Sequence, residues 1–150
     1  WECSYPSPQI ATPLGEPRLW AEAGDDDLLI VSWANGLLMS LQAQRRLREC
    51  GIRARVLDLR WLAPLPHAEI AHHARATGRV LVVDECRATG GGVSNAILAA
   101  LAQDDTCREV RMKRIAGVDS YVPLAEAANL VLIQTDDVVR AARELCKVRA

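Results

Sequence analysis

The segment RVLVVDECRATGGG, residues 79–92, decides the fold of this chain. Residues 80–83 are an unbroken run of valine and leucine, which is typical of a strand that helices cover on both faces of a parallel sheet. Charged side chains and three consecutive glycines follow, and apolar residues then recur at helical spacing. Because ligands and partners of open α/β sheets meet the carboxyl ends of the strands, function is sought first at this corner.

The composition indicates one globular domain. The chain has 150 residues, of which 50% are hydrophobic and 25% charged, and it is long enough to bury a core. Its net charge of −1 gives no general attraction to nucleic acid or anionic lipid. No apolar run is long enough to span a bilayer. The five cysteines form no CxxC pair, which excludes a zinc-ribbon pattern and favours a reducing, cytoplasmic location.

Strand and helix patterns alternate from residue 28 onward with short connections, as in βαβ units of a parallel sheet. Strands are predicted at residues 18–22 (at the sheet edge), 28–32, 53–60, 79–85 and 109–115. Helices are predicted at residues 37–50, 67–77, 93–103, 125–130 and 135–147. Residues 1–17 are rich in proline and show neither period, so they are predicted to be an extended linker from a preceding domain. The folded domain is then residues 18–150.

Five charged residues are expected to lie together at the carboxyl ends of the parallel strands: Asp58, Arg60, Asp84, Glu85 and Arg87. Carboxylates and guanidinium groups in one place can serve as acid–base machinery. Such a set is more often an ion-pair network at a solvated or interfacial surface, and this interpretation is favoured here.

The three glycines, Gly90, Gly91 and Gly92, also have two interpretations. Between a strand and a helix they could present N–H groups to a phosphate, with Asp58 about 20 residues beyond the first strand–helix turn as a ribose acceptor. The dinucleotide fingerprint is incomplete, however, because position 95 is Asn. The other interpretation is that the glycines allow a tight turn and a close backbone approach.

Histidine, serine and cysteine give no clear catalytic arrangement. His72 and His73 are adjacent on one predicted helix, so they cannot chelate a metal in the i, i+4 manner, and both are expected at the surface. No nucleophile elbow surrounds Ser94. Arg87 could lower the pKa of the Cys86 thiol, but with no histidine near it in the sequence a buried, inert thiol is expected. No catalytic, cofactor-binding or metal-binding residue is therefore assigned.

Several colinear segments carry a family resemblance: PLGEPRLWAEAGDDDLLIVSWANG, VLDLRWLAPLP, TGRVLVVDECRATGGGVSNAI and MKRIAGVDSYVPLAEA. Over residues 13–145 the chain resembles the C-terminal domain of transketolase-like thiamine diphosphate enzymes. It is similar in particular to the beta subunit, or the beta part of a fused alpha–beta chain, of the decarboxylating component of 2-oxo acid dehydrogenase complexes.

The resemblance implies a fold and a set of positions. The fold is a three-layer α/β/α sandwich around five mostly parallel strands in the order 1-3-2-4-5, with strand 1 antiparallel. The loops at residues 33–36 and 85–92 should then face each other across a crevice. The family pattern places its interface and crevice residues after the strands, at Asp58, Arg60, Glu85, Gly90, Gly91, Arg114 and Asp119.

The resemblance also implies a parent enzyme that decarboxylates a 2-oxo acid on thiamine diphosphate and Mg²⁺ and passes the acyl group to lipoyl-lysine. Other domains of that enzyme hold the cofactor, so this chain alone is expected to bind none and to be inactive. Its expected partners are the other domains or subunits of the parent, a two-fold-related copy and the acyltransferase core.

Two kinds of alternative stay open at this point. One keeps the domain but changes the parent to a transketolase, a deoxyxylulose phosphate synthase or a ferredoxin-linked 2-oxo acid oxidoreductase. The other is a stand-alone nucleotide- or anion-binding regulatory module that uses Gly90 to Gly92 and Asp58.

Overall fold

A computed structural model describes residues 13–20 and 24–146 of the chain. Its strands are β1 (Arg18–Trp20), β2 (Leu28–Ser32), β3 (Ala54–Asp58), β4 (Arg79–Arg87) and β5 (Arg111–Gly117). Its α-helices are α1 (Ala34–Glu49), α2 (His67–Thr77), α3 (Val93–Gln103) and α4 (Thr135–Cys146). Short 3₁₀ helices occupy Asp105–Cys107 and Ala125–Leu130.

The five strands form one sheet in the order β1-β3-β2-β4-β5. β1 is antiparallel to β3, and the β2–β3, β2–β4 and β4–β5 pairs are parallel. This confirms the predicted strand order and the antiparallel first strand. The carboxyl ends of β2, β3, β4 and β5 therefore share one edge of the sheet, called the carboxyl edge below.

Helices cover both faces of the sheet. Alternate residues of β2 and β4 enter two separate cores: Leu28 and Val83 pack toward α1 and α4, whereas Leu29 and Val82 pack toward α2 and α3. All five residues of β2 are buried. The central strands therefore read as continuous apolar runs, because neither of their faces meets water. The three-layer α/β/α sandwich is confirmed.

Several element boundaries differ from the sequence prediction. β4 continues to Arg87, two residues past its predicted end, and β3 stops at Asp58, two residues early. β3 stops because Arg60, just beyond it, adopts a left-handed φ of 55°, which no regular strand allows. β5 begins at Arg111 rather than at residue 109, and residues 125–130 form a 3₁₀ helix rather than an α-helix.

The predicted linker and the ends of two predicted elements fall partly outside the described residues. Residues 13–17 carry no helix or strand, while residues 1–12, 21–22 and 147 are not described. The linker at residues 1–17 and the domain at residues 18–150 therefore stay predictions. Across residues 13–20 and 24–146, no helix combines the length and the apolar character needed to cross a membrane.

Candidate functional site

The end of β4 is tied to the start of α3 by a buried carboxylate. Asp84 is fully buried, and its Oδ2 accepts hydrogen bonds from Ser94 Oγ at 2.6 Å and from Ser94 N at 3.2 Å. Its Oδ1 accepts a third hydrogen bond from Cys86 N at 2.9 Å. Gly92, at the N-cap position of α3, has no side chain that could cap this helix. Asp84 therefore caps α3 from the neighbouring strand.

Burial by itself would raise the pKa of Asp84, but the hydrogen bonds from Ser94 and Cys86 outweigh it and hold the pKa below its ordinary value near 3.8. The side chain is therefore a carboxylate at neutral pH, placed at the positive end of the α3 dipole. That is the position a phosphate would take at a helix N-terminus. Asp84 thus already occupies the site that an anion would need, which disfavours the nucleotide- or anion-binding interpretation of Gly90, Gly91 and Gly92.

The next residue caps a different helix on the opposite face of the sheet. Glu85 accepts hydrogen bonds from the side chain and the backbone of Asn35, in the first turn of α1. Trp33, at the N-cap of α1, supplies no side-chain cap of its own. The structure thus brings the 33–36 and 85–92 loops together, as expected from the strand order. Burial is the main cause that raises the pKa of Glu85 above 4.5; Asn35 opposes it and the charge of Asp84 adds to it.

Two residues from the far side of β4 hold the glycine loop, here residues 88–92. Arg114, on β5, donates hydrogen bonds to the Ala88 carbonyl and to Ser94 Oγ, the latter at 3.4 Å. Asp119, after β5, accepts a hydrogen bond from the Thr89 hydroxyl. Both positions were expected from the resemblance alone. Their contacts explain how an exposed loop that contains three glycines keeps a defined path.

The three glycines are required for two different reasons. Gly90 and Gly91 have φ values of +96° and +77°, a left-handed conformation that side chains disfavour. Gly92 has an ordinary φ, but a Cβ there would lie 2.5 Å from Asp84 Oδ2 and 3.2 Å from Cys86 Cβ. Both reasons are structural, which supports the tight-turn and close-approach interpretation.

The five charged residues expected to cluster are divided among separate contacts. Asp58 pairs with Arg60 at 3.1 Å, whereas Asp84 and Glu85 bind the N-termini of two helices. Arg87 is exposed. Because β2 lies between β3 and β4, Asp58 and Asp84 are two strand spacings apart, about 10 Å. The arrangement provides one ion pair and two helix caps rather than one acid–base centre.

Two expectations about single residues are wrong. Cys86 is exposed instead of buried, because β4 runs past the part of the sheet that the helices cover. Its pKa is raised, first by a hydrogen bond to Asp84 and then by burial and the two neighbouring carboxylates, so Arg87 does not activate the thiol. His73 is buried instead of exposed.

His73 belongs to a buried polar cluster that the sequence did not reveal. Arg55 pairs with Asp26 at 2.9 Å, with both side chains almost wholly buried, and its Nη1 lies 3.2 Å from His73 Nδ1. The three residues are far apart in the sequence, and the run GDDD that contains Asp26 is typical of a surface turn. No group of three or more His, Cys, Asp or Glu side chains in residues 13–20 and 24–146 could hold a metal ion.

The fold and the site together define an open, mostly parallel α/β domain whose carboxyl edge is fastened by its own side chains. Residues 21–138 match the family described as transketolase, C-terminal domain. Because the match covers most of the chain, the chain belongs to this family, in agreement with the resemblance noted above.

The chain is similar to known proteins of two kinds: a pyruvate dehydrogenase subunit and a 1-deoxy-D-xylulose-5-phosphate synthase. It is 32% identical over 137 residues to the pyruvate dehydrogenase E1 component subunit beta-1, mitochondrial, of Arabidopsis thaliana. This match covers 89% of the chain and 37% of the relative. It is 37% identical over 110 residues to 1-deoxy-D-xylulose-5-phosphate synthase 1 of Geobacter sulfurreducens. This match covers 73% of the chain and 17% of the relative. The chain thus spans well under half the length of these relatives.

A solved structure has the same fold. The structure described as "Split gene transketolase, inactive beta4 tetramer" superposes with a TM-score of 0.80 at 24% identity. The match covers 96% of this chain and 46% of that one. At this identity the likeness establishes the fold.

Proposed function

We propose that this chain is the C-terminal assembly domain of a thiamine-diphosphate-dependent 2-oxo acid dehydrogenase, in the beta part of its decarboxylating component. Its role there is structural: it docks other domains or subunits of the parent enzyme and is not a catalyst by itself. The observation that carries the proposal is the internally fastened carboxyl edge, where Asp84 and Glu85 are engaged by Ser94 and Asn35 rather than directed at a substrate.

Family membership and the likeness to a pyruvate dehydrogenase beta subunit support the parent enzyme. The same domain in a transketolase, a deoxyxylulose phosphate synthase or a ferredoxin-linked oxidoreductase is the alternative, which the synthase from Geobacter sulfurreducens keeps open. The free cysteines Cys50, Cys86, Cys107 and Cys146 are compatible with the reducing cytoplasm, which we propose as the location.

The shape of the carboxyl edge supports a docking role. Among the described residues, three non-glycine residues have left-handed φ values and follow β2, β3 and β5: Ala34, the first residue of α1; Arg60, in the loop after β3; and Ala125, the first residue of the second 3₁₀ helix. Such backbone conformations persist only where the surroundings hold them, and they concentrate at functional surfaces. Trp61 and Leu62, directly after Arg60, are each 37% exposed. A preorganised edge with partly exposed aromatic and aliphatic side chains is suited to protein contacts.

The candidate interface residues follow from this edge: Asp58, Arg60, Asp84, Glu85, Arg87, Gly90, Gly91, Gly92, Arg114 and Asp119. Those with exposed side chains, Arg87 and Asp119, would contact the partner directly, and Arg60, whose side chain is paired with Asp58 and 27% exposed, would do so in part. The buried or engaged ones, such as Asp84 and Arg114, would hold the loops in the docking conformation.

The residues at this edge do not fit the pyrophosphate of thiamine diphosphate, and no group of three or more His, Cys, Asp or Glu side chains in residues 13–20 and 24–146 could hold Mg²⁺. The amide of Ser94 at the start of α3 already binds the Asp84 carboxylate, and that negative charge would repel a pyrophosphate. We therefore place cofactor binding in the rest of the parent enzyme and derive no chemical step in this chain.

The proposal is tested by calorimetric titration and by complementation. Titration of this chain with thiamine diphosphate and Mg²⁺ should give no binding heat, whereas addition of the chain to the remaining domains of the parent should restore 2-oxo acid decarboxylation. Saturable micromolar binding of the cofactor to this chain alone would contradict the proposal. Restored turnover with a ketose phosphate in place of a 2-oxo acid would favour the transketolase alternative.

The docking residues are tested in the same complementation assay. Arg87→Ala and Arg60→Ala should each raise the concentration of this chain needed for half-maximal activity. Arg87→Ala removes an exposed guanidinium from the edge, and Arg60→Ala removes the guanidinium that pairs with Asp58 there. Arg45→Ala, an exposed arginine in the middle of α1, is the matched control and should have no effect. Equal effects of all three variants would remove the carboxyl edge as the docking surface.

A further inference from the structure

The outer side of β5 is an open edge of the sheet. The sheet ends in β1 on one side and in β5 on the other. β1 has only three residues, whereas β5 has seven, all but the last of them half-buried. A long edge strand presents a row of backbone N–H and C=O groups with which an extended segment can pair. β5 is therefore the edge of this sheet at which another strand fits.

The hydrogen bonds of β5 show which of its backbone groups face outward. Arg111 N donates to Gly78 O at 3.0 Å, so the backbone of Arg111 faces β4. Successive residues of a strand direct their backbone groups to opposite sides. The groups that face away from β4 therefore belong to Met112, Arg114 and Ala116. Among the described residues, no strand pairs with this side of β5.

The position that follows β5 already has a backbone partner on the outer side. Val118, which continues the outward series, donates a hydrogen bond from its N–H to Val131 O at 3.0 Å. The chain then passes from Val131 into α4, which begins at Thr135 and lies on a face of the sheet rather than at its edge. The fold thus pairs one outward position of this series with extended backbone and ends the pairing there.

A groove at the carboxyl end of β5 lies where a side chain of an added strand would be placed. It has a volume of about 510 Å³, and its apolar lining includes Ile115, Val118 and Leu132. When a peptide adds to the edge of a sheet, its backbone hydrogen bonds supply affinity and pockets for alternate side chains supply specificity. β5 offers both features side by side.

The charges of β5 indicate what kind of segment it would accept. The strand carries Arg111, Lys113 and Arg114 and no acidic residue. Lys113 is 37% exposed and pairs at the surface with Glu144 of α4. Opposite charges on neighbouring strands stabilise their pairing, and like charges oppose it. An added strand with acidic side chains beside Lys113 is therefore favoured.

The same charges argue against a second copy of this chain as the added strand. Across a two-fold axis β5 would pair with β5, and three basic side chains would meet three others. The other edge strand, β1, has a single charged residue, Arg18, which is also basic. Neither edge strand supplies the acidic partner that β5 requires, so the segment must come from another polypeptide.

We propose that the outer edge of β5 binds an extended acidic segment of another polypeptide as a sixth strand. The segment pairs with the backbone of Met112, Arg114 and Ala116, places an acidic side chain beside Lys113 and an apolar one in the groove. This inference goes beyond the proposed function. It is tested with this chain and a peptide alone, so its failure would leave the complementation result unaffected.

The probe is the blocked peptide ETETVTV, used together with its reverse, VTVTETE, because an added strand can run in either direction. At saturating peptide, hydrogen exchange followed by NMR should slow by at least about tenfold at the outward amides, those of Met112, Arg114 and Ala116. The amides of Lys113 and Ile115 face β4 and should change little. A control peptide with lysine in place of glutamate should bind at least about tenfold more weakly.

Two variants separate the charge from the backbone contact. Lys113→Glu should weaken binding of the glutamate peptide by at least about fivefold and strengthen that of the lysine peptide. Arg45→Glu, at an exposed position in the middle of α1, is the matched control and should change neither. Ala116→Pro removes one outward N–H without removing a hydrogen bond to β4, which an edge strand tolerates, and should weaken both peptides. Circular dichroism checks that each variant is folded.

Three results would overturn the proposal. The first is no added protection of the outward amides at millimolar peptide. The second is equal binding of the glutamate and lysine peptides, which would indicate general stickiness. The third is Lys113→Glu behaving like Arg45→Glu, which would place the peptide elsewhere on the domain.

Discussion

Asp84 and Ser94 are joined by two hydrogen bonds to the same carboxylate oxygen, at 2.6 Å from the hydroxyl and 3.2 Å from the backbone amide. Asp84 ends the buried part of β4, and Ser94 lies in the first turn of α3. The link therefore fixes both ends of the glycine loop that connects strand to helix. The domain's own side chains therefore set the conformation of this corner, and no ligand is needed to hold it.

Asp84→Ala should destabilise the chain by about 1–3 kcal/mol, because it leaves the buried Ser94 hydroxyl and amide without their acceptor. Urea unfolding followed by circular dichroism measures the change. Asp119→Ala removes an exposed hydrogen bond on the same loop and is the control, with an expected change within about 0.5 kcal/mol. Similar losses in both variants would mean that Asp84 has no special part in capping α3.

Asp84 and Glu85 should give opposite pH dependences of stability. The pKa of Asp84 is lowered on folding, so its contribution is present above pH 3.8 and is lost as the pH falls through the lower folded-state pKa. The pKa of Glu85 is raised, so its protonated form is the one that folding favours, and this contribution is lost as the pH rises from 4.5 through the folded-state pKa.

The free energy of unfolding as a function of pH tests both signs. Asp84→Asn should remove part of the loss of stability in acid, below pH 3.8, whereas Glu85→Gln should remove part of the loss that sets in above pH 4.5. Carbon-13 NMR titration of the two carboxyl groups gives the shifts directly. An Asp84 carboxyl that titrates above Glu85 would contradict the structure.

The parallel sheet with helices on both faces could be predicted from the sequence because the central strands are apolar on both faces. The runs at residues 28–31 and 80–83 have no polar alternation, which predicts strands covered by helices on both faces, and these residues are buried in the structure. The family resemblance then supplied the strand order and the antiparallel β1. The ends of the strands were harder to predict. The end of β3 depends on the left-handed conformation of Arg60, and an arginine in the sequence does not indicate that conformation.

The site was less predictable because its contacts are between distant residues. Nothing near Asp84 in the sequence indicates that it binds Ser94. Glu85 contacts Asn35 only because β2 and β4 are neighbours in the sheet. The register between β4 and β5 shifts between Asp84 and Arg87. The expectation that Cys86 is buried came from the usual environment of an inert thiol, and nothing in the sequence indicates that β4 continues past the helices at this position.

Substitutions in the glycine loop should separate the two reasons for its glycines. Gly91→Ala should cost about 1–2 kcal/mol from its positive φ alone, since no atom lies within 4 Å of the added Cβ. Gly92→Ala should cost about 1–3 kcal/mol, because the added Cβ collides with a carboxylate that three hydrogen bonds hold in place.

Coupling to Asp84 distinguishes these two costs. In an Asp84→Ala background, Gly92→Ala should lose most of its effect, whereas Gly91→Ala should add its full effect. Asn tolerates the left-handed conformation, so Gly91→Asn should also be milder than Gly92→Asn. Urea unfolding of these variants measures the coupling, and additive behaviour of Gly92→Ala with Asp84→Ala would contradict the close contact.

The buried Asp26–Arg55 pair should show strong coupling, unlike an exposed pair of similar length. Arg55→Leu leaves the Asp26 charge without its guanidinium in a nearly dry site and should destabilise the chain by about 3–5 kcal/mol. Asp26→Leu should have a comparable effect, but the double variant should lose much less than the sum, because it buries no unpaired charge. Asp105 and Arg108, which lie 2.7 Å apart with side chains 88% and 75% exposed, provide the control cycle and should show almost no coupling. Equal coupling in the two cycles would mean that burial does not strengthen the Asp26–Arg55 contact.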